Sequence, residues 1–464
     1  MRLVVSARLV TSQRTVALLA VGLAAAVLLG AAAVVQPLAV LGVLIGGGFF
    51  AIALGNLPLG ITLWFPAAFL EGLPVGNMAA KAGGLVLLAA WAPAALAAAE
   101  SRPSWFSPLP RRTLEVTVVL VTFLLLTLLW APDAGAVLRD AWHWVAVALL
   151  FALIATSAPS SSAMRALLFA FVIGAVLSVL GGTVGGGFDT AQSSADLAGP
   201  ESRLGGAIGD PNFLAAGLVP GIVIAVGLMV GSKSALARLA LGVAALVLIS
   251  GVVASESRGG AIALLVGVPA ALVCFKGRRT QVSVVALGVI ALTALWFSFS
   301  PGALDRVTSF NNGGNGRTDL WTVAWRIAED HPVLGVGLDN FASVSHLYVR
   351  EPGALTHVQL IADQPHVVHN TYLQLLAEGG IVGLALFCLL LFLCLRSMSR
   401  AARLFGARGD RAHEVLSQAV LVGAITMLVA AFFISAGVDK RLWLLLAFGP
   451  ALEALARRAP YGGH

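Results

Sequence analysis

At 464 residues, with 59% hydrophobic and only 11% charged side chains, the chain holds less than half the charge of an ordinary soluble domain. That excludes a water-soluble globule, because a core of this size leaves too little surface to hide so much apolar area. The net charge of +7 does not indicate nucleic acid, since the basic residues fall in short clusters between apolar runs, as topology determinants do.

A span needs about 20 mostly apolar residues. Such runs stand at 15–35, 37–54, 57–74, 81–99, 114–131, 137–156, 165–182, 212–231, 235–254, 259–275, 281–299, 371–395, 414–436 and 441–456. They predict an all-α polytopic membrane protein of 12–14 transmembrane helices. The run at 57–74 is broken by Pro58, Pro66 and Pro74 and carries Glu71, so it reads either as a span or as a re-entrant pair with its neighbour. The first run follows Arg2, Arg8 and Arg14 and is longer than the apolar core of a cleaved signal, which predicts an uncleaved anchor. With the N-terminus in the cytoplasm, nineteen of the 29 Lys and Arg fall in cytoplasmic loops, and both termini are expected there. Cys274, Cys388 and Cys394 lie in or at the ends of apolar runs and read as packing residues.

The chain divides into N-terminal transmembrane helices over 1–182, a Gly- and Ser-rich outer loop over 183–211 and central transmembrane helices over 212–300. A large outer-face loop over 301–370 and C-terminal transmembrane helices over 371–464 follow. A loop as long as 301–370 is more than a connector. Within it, Leu320, Trp321, Ala324 and Ile327 recur at helical spacing. They predict an amphipathic helix from Arg317 to Asp330, ended by His331–Pro332 and lying on the membrane surface or against the bundle. A second short helix is predicted around 338–350.

Few cations are left for the outer face. Arg203 sits in the Gly-rich loop, Arg258 at the start of a span in SESRGG, and Arg317 at the start of the loop helix in NGRTDLW. A guanidinium is always charged, and its fork fits phosphate oxygens, so Arg203, Arg258 and Arg317 converging would suit a diphosphate. Each could instead be a snorkelling or salt-bridged arginine. His369 lies just outside the span that starts at 371, in HVVHNTYLQLLAEGGIVG, and imidazole is the commonest general base at neutral pH. Asn370 and Tyr372 are auxiliary candidates beside it, and His366 and His357 are further histidines. HxxH is too generic to be a metal site, and the outer face carries no D-x-D string. The expected chemistry therefore uses no metal and no cofactor, with arginine meeting charge and histidine moving the proton.

At these residues the chain resembles a known family. GRTDLWTVAWRIAEDHPVLGVGLDNF followed by VVHNTYLQLLAEGGIVGLALF is similar to the core signature of the O-antigen ligase family, which includes Wzy-type polysaccharide polymerases. RLGGAIGDPNFLAAGLVP and SESRGGAIALLVG are similar to two further blocks, so the resemblance spans roughly 200–390. It implies a polytopic fold related to the GT-C membrane-embedded glycosyltransferases, in the bacterial inner membrane with its active site on the outer face. It also implies a polyprenyl-diphosphate-linked glycan donor and a glycan, lipid or protein acceptor. By the same resemblance Arg203 and Arg258 hold the donor diphosphate, Arg317 opens the loop helix, and His369 activates the acceptor hydroxyl, with inversion at the anomeric carbon. The chain departs from the pattern in the Val-Val before His369 and in the extra His366. The alternatives are a Wzy-type polymerase, which differs only in its acceptor, and a transporter or flippase of lipid-linked oligosaccharide. The latter would need charges or broken helices at mid-membrane, whereas here the ionisable groups gather at span ends.

Overall fold

The structure, a computed structural model, describes residues 37–158, 160–184, 203–299, 316–349, 355 and 366–458. The chain separates into two compact units, Met1–Gly60 and Ile61–His464. The described part of the first is helix α1 (Pro37–Gly55) and the start of α2 (Leu57–Trp64). The second continues with α3 (Pro74–Leu96), α4 (Arg111–Leu126), α5 (Ala134–Thr156), α6 (Ser161–Val184), α7 (Pro211–Gly231) and α8 (Ala235–Ala254). After these come α9 (Arg258–Cys274), α10 (Arg279–Phe299), α11 (Arg317–Asp330), α12 (Phe341–Tyr348), α13 (Thr371–Ala407), α14 (Arg411–Ala430) and α15 (Lys440–Arg458). Among the described residues there is no strand.

Eight of the described helices are long and apolar enough to cross a membrane, or up to nine if α9 and α10 form one broken span. This is fewer than the 12–14 expected, for identifiable reasons. The run at 15–35 lies outside the described residues. The run at 57–74 is no span: α2 stops at Trp64, a 3₁₀ turn covers Phe65–Phe69, and Pro74 starts the next helix. Proline lacks the N–H that a continuous helix would need at each of these points. The runs at 259–275 and 281–299 form helices, but the axis turns by 103° between them. The run at 441–456 forms α15, whose Lys440, Arg441, Glu453, Arg457 and Arg458 are too many charges for a lipid-facing span. Instead α15 is sheathed by protein. It packs along α13 and α5 and is buried almost throughout. Four of these charges are paired, Arg441 with Asp439, Lys440 with Glu71, and Glu453 with Arg457 and Arg400, while Arg458 donates to Ser104 O and Phe106 O.

The helices alternate, so their connections gather at two ends. One end, with the connections around 97–110, 157–160, 232–234, 275–278 and 408–410, carries sixteen of the described Lys and Arg. The other carries eight: Lys81, Arg139, Arg203, Arg258, Arg317, Arg326, Lys440 and Arg441. This second end also bears the loop helices. As expected, α11 spans Arg317–Asp330 and is closed by His331, and α12 falls within 338–350. Of the two settings expected for α11, it takes the bundle. Leu320, Val323, Ala324 and Ile327 are buried in one core with Phe341 and Val344 of α12 and Ala377 of α13.

The segment 331–340 fastens these loop helices to the bundle. Helix α13 is interrupted at Gly380, at φ 60 and ψ −165. The freed backbone groups are met by the incoming segment. Val336 N donates to Ala377 O at 3.0 Å, Gly337 N to Glu378 O at 2.8 Å, and Ile381 N to Pro332 O at 2.9 Å. This is how an interrupted membrane helix avoids orphaned polar groups. From the other side, Trp130 Nε1 donates to Gly335 O at 3.1 Å. Asn340, fully buried, bridges to the 130–133 connection by accepting from Asp133 N at 2.8 Å and donating to Asp133 O at 3.1 Å.

Asp339, beside this bridge, adopts a left-handed φ of 56, and its N–H faces the Glu378 carboxylate. Burial, reinforced by the negative charge of Asp140, pushes the Asp339 carboxyl up to about 6. Its folded-state value stands above its unfolded one, so the folded chain holds an extra proton between about pH 4 and 6. Stability therefore falls as pH rises through that window and stays at the lower level above it. Asp339→Asn removes the penalty and keeps a side chain that tolerates a left-handed backbone. Near neutral pH the variant is expected to be more stable by on the order of 1 kcal/mol after solvent screening and the lost attraction of Arg139. Melting curves should show the gap closing below about pH 4. A gap that is independent of pH would contradict the assignment.

Candidate active site

The sharp turn between α8 and α9 is built around Arg258. Helix α8 ends at Ala254, Glu256 takes φ 50, and Ser257 restarts the helix by accepting Gly260 N on its Oγ at 3.2 Å. Arg258 is therefore the first residue of α9, which brings its charge together with the positive end of the helix dipole. Gly259 and Gly260 let this end pack closely. A Cβ on Gly259 would lie 2.7 Å from that of Phe433, and one on Gly260 would lie 2.5 Å from that of Ala215.

Arg203 braces the same turn from within. It is only 6% exposed. Its Nε donates to Ser255 O at 3.0 Å and its Nη2 to Asn212 Oδ1 at 3.3 Å, an oxygen that also accepts Ser257 Oγ at 3.0 Å. Leu204 N donates to Ala254 O at 3.0 Å. Asn212 is held at the start of α7, where Asp210 Oδ1 accepts from Asn212 N and Phe213 N. Glu256 is half-buried, and burial raises its carboxyl above the usual range although the charge of Arg203 pulls it down. A buried, braced guanidinium of this kind organises the turn that presents Arg258.

His369 stands at the mouth of α13. Its φ of 52 lies in the left-handed region, and its N–H donates to Ser435 Oγ at 3.1 Å. Asn370 caps α13, accepting from Tyr372 N and Leu373 N at 3.1 Å each. Thr371 is stitched to the turn between α14 and α15: its Oγ1 donates to Ile434 O at 2.7 Å and accepts from Ala436 N at 2.8 Å. The Tyr372 hydroxyl donates to Leu428 O at 2.8 Å. Trp321 of α11 donates from Nε1 to Val368 O at 3.1 Å and sets its ring 6.5 Å from that of Phe433.

The turn 431–437 is thus the hub. Gly259, next to Arg258, abuts it at Phe433; Trp321 lies against it; and His369 and Thr371 bond to it. The structure brings Arg203, Arg258 and His369 around connected turns at one end of the bundle. Arg317 joins less directly, through the helix that carries Trp321. Its own position is the first turn of α11, after Gly316 at φ 78. His366 is buried, 5% exposed, three residues before His369. Asn370 and Tyr372 hold the backbone here, one as a helix cap and the other as a tie to α14. His357 lies outside the described residues. Among the described residues no group of three His, Cys, Asp or Glu is placed to hold a metal ion.

Sequence reasoning missed Asn212, Ser257 and Ser435. Each is a small polar residue acting on a partner, and Ser435 bonds to a residue 66 positions away. Only the string GDPN, an Asp cap with Pro at the first helical position, could have drawn attention to Asn212.

A family model described as O-antigen ligase matches residues 243–388, from α8 into the first half of α13. No curated protein matches the chain. The matched stretch includes Arg258, Arg317, His366 and His369 but neither Arg203 nor the hub turn. Over residues 243–388, then, the chain is similar to the O-antigen ligase family.

Proposed function

We propose that the protein transfers a glycan from a polyprenyl-diphosphate carrier to an acceptor hydroxyl at the outer surface of the bacterial cytoplasmic membrane. The observation that carries this reading is that Arg258 and His369, the residue types needed at the two ends of such a reaction, neighbour one turn at one end of the bundle. The positive-inside rule supports the orientation, since the opposite end holds twice as many basic residues.

Three bonding changes make up the reaction. The acceptor oxygen attacks the anomeric carbon, the carbon–oxygen bond to the diphosphate breaks, and the hydroxyl proton leaves to a base. Arg258, at a helix N-terminus, meets the charge that develops on the departing diphosphate. Arg203 keeps the α8–α9 turn in the shape that holds Arg258 there. His369 takes the proton. Attack from the side opposite the diphosphate inverts the anomeric centre.

Arg258→Ala, assayed in vesicles with a lipid-linked glycan donor and an acceptor, is expected to lower turnover by about 10²–10³-fold, the scale of removing one fixed charge-stabilising donor. Arg258→Lys should recover only part, because an ammonium lacks the planar fork. Wild-type turnover in the Ala variant would remove Arg258 from the reaction.

A further inference from the structure

Below its interruption, α13 runs from Ile381 to Ala407, about 40 Å at a rise of about 1.5 Å per residue. Bilayer hydrocarbon is only roughly 30 Å thick. At the end opposite the loop helices, α13 therefore leaves the hydrocarbon near Arg396 and Arg400. One face of it stays uncovered by protein. Ile381, Ala385, Leu389 and Phe392 are exposed and recur at helical spacing, so this face looks onto hydrocarbon. Arg396, Arg400 and Arg403 continue the same stripe, within about 60° of one another around the axis at about 100° per residue. Arg396 and Arg403 are exposed, and the Arg400 side chain is 40% exposed. Positive charge is left over here. Arg400 lies 3.7 Å from Glu453 Oε1, but Arg457 already holds that oxygen at 2.7 Å. Among the described residues Arg396 and Arg403 form no ion pair. Elsewhere at the same end Arg111 has Glu115 at 2.7 Å and Arg411 has Glu414 at 2.8 Å.

We infer that this arginine stripe binds the headgroups of anionic phospholipids. Two observations select that partner. The stripe continues a face that hydrocarbon covers, so whatever meets the arginines stands where the acyl chains end, in the headgroup layer. All three groups are also guanidinium, whose fork takes two oxygens of one phosphate. Arg396 and Arg403 are about 10 Å apart along the axis. The interfacial layer on each side of a bilayer is roughly 5–8 Å deep, so long side chains from both positions reach it. A cation at the bilayer boundary is costly without a partner, and a lipid phosphate supplies the anion that the protein does not. The bound lipid pins one end of the helix whose other end carries His369, and α15, packed along α13, is pinned with it. This binding does not depend on the transfer reaction proposed above.

The test places the full chain in phosphatidylcholine nanodiscs that carry a trace of photoreactive phosphatidylglycerol or of photoreactive phosphatidylcholine. The phosphatidylglycerol probe should label residues 385–403 about tenfold more than the phosphatidylcholine probe, and unlabelled phosphatidylglycerol should compete it away. Combining Arg396→Gln, Arg400→Gln and Arg403→Gln should bring the two probes level. Combining Lys233→Gln, Arg238→Gln and Lys276→Gln removes the same charge from other connections at that end and should leave the preference intact. An equal loss in both triple variants would mean a general positive field, and it overturns the inference. Equal labelling of the wild type by the two probes also overturns it, and is the result expected if the stripe instead meets an acidic protein. If the first triple variant does not fold, Arg396→Gln and Arg403→Gln carry the test singly. Each should lower the preference about threefold, with a wild-type melting curve, and an unchanged preference in both overturns the inference.

Discussion

His369→Asn is expected to lower glycan transfer by about 10²–10⁴-fold, the contribution of a positioned general base, while leaving donor binding intact. Asn is the informative replacement because His369 sits at φ 52. Asn enters the left-handed region more readily than other side chains, so the variant keeps the backbone and loses only the base. His369→Ala enters the left-handed region less readily than Asn, so it adds some backbone strain to the chemical loss and through the Ser435 bond disturbs the hub turn. The comparison therefore separates proton transfer from positioning. If His369 is the base, both variants lose turnover and only the Ala variant loses stability. Transfer by the Asn variant at the wild-type rate would exclude His369 as the base and turn attention to buried His366.

Much of the helical frame could be read directly. The runs at 212–231 and 235–254 match α7 and α8 almost residue for residue, because each is a long apolar stretch bounded by a cap, Asp210 in one case and Ser234 in the other. Reading went wrong where protein, rather than lipid, surrounds a helix. The run at 441–456 reads as one more span, yet α15 lies inside the bundle, where ion pairs with Asp439 and Arg400 take the place of apolar side chains. The candidate site divides the same way. Arg258 and His369 were visible because their residue types carry the chemistry. The hub turn was not, because its contributions are backbone carbonyls and small hydroxyls that no spacing rule marks. Arg203 was visible as a cation, but not as a brace, since a guanidinium in a sequence does not announce whether it meets a ligand or a carbonyl such as that of Ser255.

Gly335→Ala is expected to undock the loop helices from the bundle at a cost of about 4 kcal/mol or more. Gly335 has φ 66, and a Cβ there would stand 2.3 Å from the carbonyl carbon of Glu378. The obstacle is backbone, so no side chain can rotate away, and the left-handed conformation alone costs about 1–2 kcal/mol. The hydrogen bonds from Val336 and Gly337 to α13, each worth about 1 kcal/mol, fail with it. Gly380→Ala meets the same seam from the other side, its Cβ 2.2 Å from Val333 O. Gly409, at φ 76 with nothing within 4 Å, supplies the control, and its Ala variant should lose only the conformational term. Limited proteolysis should then cut residues 316–349 in either seam variant while α7, α8 and α14 stay protected. Transfer should be lost although Arg258 and His369 are untouched, because Trp321 no longer holds Val368. The double variant decides whether this is one junction or two. A single docking event can be broken only once, so Gly335→Ala with Gly380→Ala should cost little more than either alone. Additive costs would mean that the kink in α13 and the seat of the loop are independent, and that loop docking does not depend on the interruption at Gly380.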